Sequence, residues 1–176
     1  MVRPVFLVGM MASGKTTVGR RLAVALDAVF CDLDERVERI SGRSIERLFA
    51  QGEDRFRALE AAALGSLLAE PGFAGGPCVV ATGGGVVVAA ENRAAMRRVG
   101  TVVLLEVAID ELERRLGATA SARPLLRGTD PREALTRLWG QRQAAYRDGT
   151  LVVQADGAPE VVAAAILERL RPEAPA

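Results

Sequence analysis

Five short apolar segments rich in β-branched residues recur along the chain, and each is short enough to form a strand that is buried on both faces. They lie at residues 4–8, 28–31, 78–82, 101–105 and 151–154. Helical spacing of apolar residues follows at 17–26, 90–98, 108–116 and 159–170. Strands that alternate with helices predict right-handed βαβ units, and therefore a three-layer α/β/α fold with a five-stranded parallel sheet.

Two intervals do not fit a plain crossover between strands. Residues 44–69 have a helical pattern that is too long for one connection, so they predict a small helical subdomain. The candidate substrate-binding segment overlaps this subdomain and covers about 33–61. Residues 117–130 contain small residues, a proline and no helical period, which predicts a mobile lid. Residues 1–176 have the size of a single compact domain, in which we expect 172–176 to be a frayed tail.

The composition is that of a globular protein, with 49% apolar and 26% charged residues. The net charge of +1 gives no general attraction to nucleic acid or to an anionic membrane. Gly9 interrupts the apolar start, and no apolar run of about 18 residues follows. We therefore expect a cytoplasmic monomer without a membrane or nucleic-acid partner.

Histidine is absent, so the chain has no Ser-His or Cys-His nucleophile pair and no His-ligated metal site. Acid–base chemistry would have to come from carboxylates. Cys31 and Cys78 are isolated and lack CxxC spacing, so we expect both to be small buried hydrophobic residues.

A phosphate-binding loop is indicated by residues 9–16, GMMASGKT, which match GxxxxGK[ST] between a predicted strand and a predicted helix. Such a loop directs backbone N–H groups and the positive end of a helix at the phosphates of a nucleotide. Lys15 is the only lysine in a chain with 23 basic residues, which favours a role that arginine cannot fill. Lys15 would contact the β- and γ-phosphates, Thr16 would ligate magnesium and Thr17 would contact the α-phosphate. The nucleotide-binding residues of the loop are then Gly9, Met10, Met11, Ala12, Ser13, Gly14, Lys15, Thr16 and Thr17.

A nucleotide loop alone does not distinguish a phosphotransferase from a GTPase-like switch. Switches that read guanine generally use an Asn-Lys-x-Asp motif. The single lysine of this chain lies in the phosphate loop, so that motif is absent. The sequence therefore favours a phosphotransferase.

Two aspartates, Asp32 and Asp34, follow the second predicted strand in the sequence CDLDE. On an extended backbone alternate residues share a face, so both carboxylates would lie beside the phosphate loop at the carboxyl edge of the sheet. One could be directed at magnesium and the other at an acceptor hydroxyl that must lose its proton. The alternative is a pair of capping aspartates at the next helix.

Four further segments follow in order: GEDRFRALE at 52–60, ATGGG at 81–85, ARPLL at 122–126 and RQAAY at 142–146. Together with the phosphate loop and the DLD sequence they resemble the motifs of shikimate kinases, over residues 4 to 170. A phosphate loop alone says little about the acceptor, whereas this combination is specific. The resemblance implies an enzyme that converts shikimate to shikimate 3-phosphate in aromatic amino acid biosynthesis, with ATP as co-substrate and Mg²⁺ as cofactor.

The resemblance also implies an acceptor site. Asp34 would orient and deprotonate the acceptor hydroxyl, while Arg57 and Arg142 would bind the shikimate carboxylate. Glu60 would hold Arg57 in place. Close approach of the backbone to the substrate hydroxyls would need the glycines Gly83, Gly84 and Gly85.

For the transferring phosphoryl group, the resemblance implies that Lys15 and the lid arginine Arg123 are catalytic together with Asp34. Arg115 would lie near the adenine. Thr16 and Asp32 would hold magnesium together with phosphate oxygens and water.

Alternatives remain at the level of the sequence. A gluconate kinase or another small-molecule kinase would share the architecture, although the RPLL and GExxFRxxE segments favour shikimate. The TGGG turn could need positive φ angles without binding any ligand. Arg55, Arg114 and Arg127 are expected to be solvated. Ala81 lacks a hydroxyl that some members place before the TGGG turn, and the phosphate loop carries Met10, Met11 and Ala12 where many members have other residues.

Overall fold

A five-stranded parallel sheet forms the centre of the computed structural model, which describes residues 3–73 and 76–171. The strands are β1 (Val5–Val8), β2 (Val29–Asp32), β3 (Cys78–Ala81), β4 (Thr101–Glu106) and β5 (Leu151–Gln154). Their order is β2-β3-β1-β4-β5, and every neighbouring pair is parallel. The predicted α/β fold and its five strands are confirmed, with each strand end within one residue of its prediction. The expected frayed tail at 172–176 lies outside the described residues.

Eight α-helices accompany the sheet in the described part of the chain. They are α1 (Lys15–Ala25), α2 (Leu33–Ser41), α3 (Ile45–Phe49), α4 (Glu53–Leu68), α5 (Ala90–Val99), α6 (Ile109–Leu116), α7 (Pro131–Arg147) and α8 (Pro159–Leu170). Helix α1 packs against α8, α2 against α4 and α6 against α7. The predicted helical subdomain at 44–69 contains α3 and α4, and α2 packs beside it against α4.

The helical segment predicted at 44–69 is two helices, because the chain turns at Gly52, where φ is 117°. Helix α7 was not predicted, although its start carries a clear signal. Asp130 caps the helix by accepting a hydrogen bond from the backbone N–H of Glu133, and Pro131 occupies the first turn.

The lid segment at 117–130 contains two short 3₁₀ helices, Gly117–Ala122 and Pro124–Leu126, where we expected no helical structure. A 3₁₀ helix has three residues per turn and runs for only a few residues, so it leaves no 3.6-residue period in the sequence. Arg123 lies between the two 3₁₀ helices. Mobility of this segment stays a prediction.

The core consists mainly of valine, leucine and alanine side chains, in keeping with an aromatic content of only 4%. Phe6 and Tyr146 are completely buried and add aromatic volume. Cys78 is buried and Cys31 is partly buried, and both are free thiols. None of the helices in 3–73 and 76–171 has the length and hydrophobicity that a membrane crossing requires.

Candidate active site

A cleft of about 750 Å³ lies at the carboxyl edge of the sheet, where parallel α/β proteins bind their ligands. Its lining comes from the segments that follow β1, β2, β3 and β5 together with parts of α3, α4, α6, α7 and the lid. It brings together the predicted site residues Met11, Ala12, Ser13, Gly14, Lys15, Thr16, Thr17, Asp32, Asp34, Arg57, Gly83, Gly84, Gly85, Arg115, Arg123 and Arg142. Gly9 and Met10 are buried and do not line the cleft.

The phosphate loop joins β1 to α1 through backbone conformations that favour glycine. Gly9 has φ 145° and Gly14 has φ 91°, while Ala12 adopts φ 61° despite its side chain. Gly14 is also the N-cap of α1, and no side chain caps that helix. The first backbone N–H groups of α1 are therefore available to an anion.

Lys15 is buried inside this loop. Its Nζ donates hydrogen bonds to the carbonyl oxygens of Gly9 (2.9 Å) and Met10 (2.7 Å) and to the Ser13 hydroxyl (3.3 Å). Burial lowers the pKa of Lys15 to about 8, and the positive charge of Arg123 acts in the same direction. The Asp34 and Asp32 charges raise this pKa, and a bound phosphate would act in the same direction and favour the ammonium form.

Asp32 is both the last residue of β2 and the N-cap of α2. Its Oδ1 accepts the backbone N–H groups of Asp34 (3.0 Å) and Glu35 (3.4 Å), and its Oδ2 accepts the Thr16 hydroxyl at 2.7 Å. The expectation of two aspartates on one extended strand was wrong, because the strand ends at Asp32 and Asp34 lies in the first turn of α2. Asp32 caps α2, as the alternative interpretation of the two aspartates expected. Its carboxylate also accepts the hydroxyl of Thr16, which lies in the first turn of α1.

The Asp34 carboxylate lines the same cleft as Lys15 and is partly buried. Burial raises the pKa of Asp34, and the neighbouring Asp32 charge raises it further. Lys15, Arg123 and Arg57 oppose this shift. Asp34 therefore has the environment of a carboxylate that can accept a proton more readily than one in water.

The turn at 82–85 is fixed to the sheet by Thr82, whose hydroxyl donates to the carbonyl oxygen of Leu7 at 2.9 Å. None of its glycines has a positive φ, so the alternative explanation for the TGGG sequence was wrong. Close packing requires glycine instead. A Cβ at Gly83 would lie 2.3 Å from Glu60 Oε1, and one at Gly85 would lie 2.1 Å from Arg57 Nη1.

Arg57 is held by two carboxylates on its own helix. It donates to Glu60 Oε2 at 2.8 Å and to Glu53 Oε1 at 2.9 Å, and its guanidinium lies over the Phe49 and Phe56 rings. The expected ion pair with Glu60 is present. Glu60 is buried, and burial raises its pKa while the Arg57 charge lowers it. Its second oxygen, Oε1, has no hydrogen-bond partner among the described residues.

Helix α7 presents Arg142 and Tyr146, one turn apart, to the carbonyl oxygen of Gly84. The Arg142 guanidinium donates to this oxygen at 3.3 Å, and the Tyr146 hydroxyl donates to it as well. Burial raises the pKa of Tyr146 to about 12, so the phenol stays protonated and remains a donor. Sequence reasoning missed Tyr146, although its position four residues after Arg142 places both on one helix face.

Arg115 and residues 155–159 form the end of the cleft that lies beside the phosphate loop. Arg115 donates to Glu111 (2.7 Å) and to the carbonyl oxygen of Ala155 (2.8 Å). It also lies near the phosphate-loop carbonyl oxygens. Residues 155–159, ADGAP, border this end and were not predicted. Their small side chains directly after the last strand were the available signal.

Three arginines were expected to be solvated. Arg55 is exposed, in agreement. Arg114 is exposed as well but forms an ion pair with Glu111, and Arg127 pairs with Glu46 of α3. The lid is thus connected to the helical subdomain by a contact that the sequence pattern does not indicate.

A family model for shikimate kinase matches residues 11–171. A shikimate kinase of Synechococcus sp. is 42% identical over 170 residues, covering 96% of this chain and 82% of the relative. One of Caulobacter vibrioides is 42% identical over 171 residues with the same two coverages.

Among solved structures, a shikimate kinase from Acinetobacter baumannii in complex with shikimate has a TM-score of 0.89 and 34% identity, covering 97% of this chain and 93% of that one. A gluconokinase from Sinorhizobium meliloti has a TM-score of 0.63 and 18% identity, a likeness of fold alone. Because the family model spans most of the chain and the curated relatives share this identity over nearly its whole length, the chain belongs to the shikimate kinase family.

Proposed function

We propose that this protein transfers the γ-phosphoryl group of ATP to the 3-hydroxyl of shikimate, giving shikimate 3-phosphate and ADP. Family membership supports the reaction. One cavity contains the phosphate loop with Lys15, the carboxylate of Asp34, and two arginines, Arg57 and Arg142, for the acid group of the acceptor. This combination in a single cleft supports the assignment of the reaction to it.

The nucleotide would occupy the end of the cleft formed by the phosphate loop, Arg115 and residues 155–159. Backbone N–H groups of the loop and the start of α1 would bind the β- and γ-phosphates. Lys15 would move from its loop carbonyl partners to the phosphate oxygens. The adenine ring of the nucleotide would lie between Arg115 and the 155–159 segment, whose small residues leave room for a flat ring.

The Thr16 hydroxyl and the Asp32 carboxylate are hard oxygen donors in direct contact, and together they fit a magnesium ion that also binds phosphate oxygens and water. Among the described residues no group of three or more Asp, Glu or Cys side chains forms a metal site of its own, so the nucleotide would supply part of the coordination. Magnesium would neutralise charge on the phosphates during transfer.

The acceptor would bind with its carboxylate on Arg57 and Arg142 and its hydroxyls toward Asp34 and the 83–85 backbone. The hydroxyl oxygen forms a bond to the γ-phosphorus, the bond from that phosphorus to the β–γ bridging oxygen breaks, and the hydroxyl proton passes to Asp34. ADP leaves with the bridging oxygen. Lys15 and Arg123 would stabilise the charge that develops on the phosphoryl oxygens.

An ADP-release assay with Mg²⁺ and ATP tests this proposal across shikimate, gluconate and nucleoside monophosphates. We expect acceptor-dependent release with shikimate and only background release with the others. Equal or faster release with gluconate would contradict the assignment of the acceptor.

We also propose that the enzyme works as a cytoplasmic monomer and binds neither membranes nor nucleic acids. The nearly neutral net charge of +1 supports the absence of a polyanionic partner. Sedimentation analysis of the purified protein would detect a stable dimer, which would contradict the monomer.

A further inference from the structure

Glu53, the first residue of α4, places its carboxylate between the two arginines that would bind the acceptor. Its Oε1 accepts a hydrogen bond from Arg57 Nη2 at 2.9 Å and lies 3.9 Å from Arg142 Nη2. Arg57 belongs to α4 and Arg142 to α7, so one carboxylate oxygen faces guanidinium groups from two helices. This is the arrangement that a ligand carboxylate would need in order to contact both arginines.

The three side chains differ in their freedom to move. The side chains of Arg142 and Arg57 are 9% and 21% exposed, whereas that of Glu53 is 46% exposed. Each arginine also has a second partner, because Arg57 is paired with the buried Glu60 and Arg142 donates to the Gly84 carbonyl oxygen. Glu53 can therefore leave toward solvent while both arginines stay in place.

We infer that Glu53 occupies the position of the acceptor carboxylate in the free protein and that a carboxylate acceptor displaces it. This inference rests on the proposed function of Arg57 and Arg142. An acceptor with a carboxylate replaces the contacts of Glu53 with equivalent ones of its own. A neutral acceptor cannot replace them and leaves Glu53 where it is, so Glu53 competes with acidic acceptors for the two arginines and lowers the affinity for acidic acceptors alone.

The variant Glu53→Gln keeps the size of the side chain and removes its charge. Half-exposed ion pairs are weak, so we expect the dissociation constant for shikimate, measured by titration calorimetry, to fall by about 2- to 10-fold. The methyl ester of shikimate should bind wild type and variant equally. Asp54→Asn is the matched control, since it removes an exposed charge from the same helical turn, and it should leave the dissociation constant for shikimate unchanged.

Weaker or unchanged binding of shikimate by Glu53→Gln would overturn the inference, and weaker binding would mean that Glu53 positions Arg57 for the substrate. An equal gain for the ester, or for Asp54→Asn, would overturn it too, because the effect would then be steric or a general effect of charge. A wild-type protein that neither binds nor phosphorylates shikimate would instead refute the proposed function, and the inference with it.

Discussion

Lys15 is enclosed by acceptors of its own loop, the carbonyl oxygens of Gly9 and Met10 and the Ser13 hydroxyl. A planar guanidinium is wider than an ammonium and cannot make these three short contacts from the same position. We predict that Lys15→Arg loses most activity although it keeps the charge. Steady-state turnover with shikimate measures this, and near-normal turnover would show that the single lysine has no special role.

We predict that Asp34 is the general base that accepts the proton of the acceptor hydroxyl. Asp34→Asn should fold and bind both substrates, while turnover falls by roughly 10²–10⁴-fold. The base acts when ionised, and its pKa is raised by burial, so wild-type turnover should fall as the pH drops through a value above the ordinary 3.8 of an aspartate. Turnover and Michaelis constants across pH test both statements. An increase in the Michaelis constant for shikimate without a loss of turnover would contradict the role.

Gly85 gives Arg57 its position, since a Cβ there would lie 2.1 Å from Arg57 Nη1. Gly85→Ala should displace the guanidinium and weaken a charge-assisted hydrogen bond to the acceptor. We expect the Michaelis constant for shikimate to rise by about 10- to 100-fold while that for ATP stays the same. Gly65→Ala is the control, because a Cβ at that position of α4 meets nothing within 4 Å. An unchanged constant for Gly85→Ala would mean that Arg57 does not bind the acceptor.

The lid segment at 117–130 carries Arg123 over the cleft. If the lid closes over bound substrates, Arg123→Ala should lower turnover by roughly 10³-fold or more, with little change in nucleotide binding to the open enzyme. Limited proteolysis gives an independent measurement. We expect cleavage near Arg123 or Arg127 in the free protein and protection when nucleotide and shikimate are both present. Identical cleavage with and without ligands would mean that this segment is an ordinary surface loop.

The sheet was predictable because buried strands leave short β-branched segments, and each predicted strand end lies within one residue of the structure. Helix α7 was missed because its apolar face is interrupted by Arg142, a buried charge that breaks the helical pattern. The Asp32–Asp34 geometry was missed because a carboxylate that caps a helix also ends the preceding strand. Local patterns therefore predict elements less well where a polar side chain is buried or caps a helix.

The motifs predicted most of the residues that the cleft brings together, whereas their contacts, apart from the Arg57–Glu60 ion pair, were not predicted. Tyr146 on the Gly84 carbonyl oxygen and Glu53 between two arginines depend on the packing of α7 against the turn after β3. No spacing in the sequence reports that packing. The need for glycine at 83 and 85 also comes from tertiary packing, because side chains of α4 lie where a Cβ would be.

At the scale of the whole molecule, the strand order places the proposed acceptor site next to the proposed nucleotide site. Strand β1 lies between β3 and β4, so the phosphate loop after β1 is adjacent to the turn after β3. A Cβ at Gly84 would lie 3.4 Å from the backbone nitrogen of Met11. Two ligands bound at the ends of these neighbouring strands meet without any large movement of the sheet, which is the arrangement that direct phosphoryl transfer requires.

Phosphoryl transfer from ATP to the 3-hydroxyl of shikimate can be followed by ³¹P NMR of a reaction that contains the purified protein, Mg²⁺, ATP and shikimate. We predict that the γ-phosphate signal of ATP is replaced by ADP signals and one phosphomonoester signal coupled to the proton on carbon 3 of shikimate. The Asp34→Asn variant, over the same interval, should leave the ATP signals nearly unchanged. Release of inorganic phosphate without a phosphomonoester, or a phosphomonoester at a different hydroxyl, would contradict transfer to the 3-hydroxyl of shikimate.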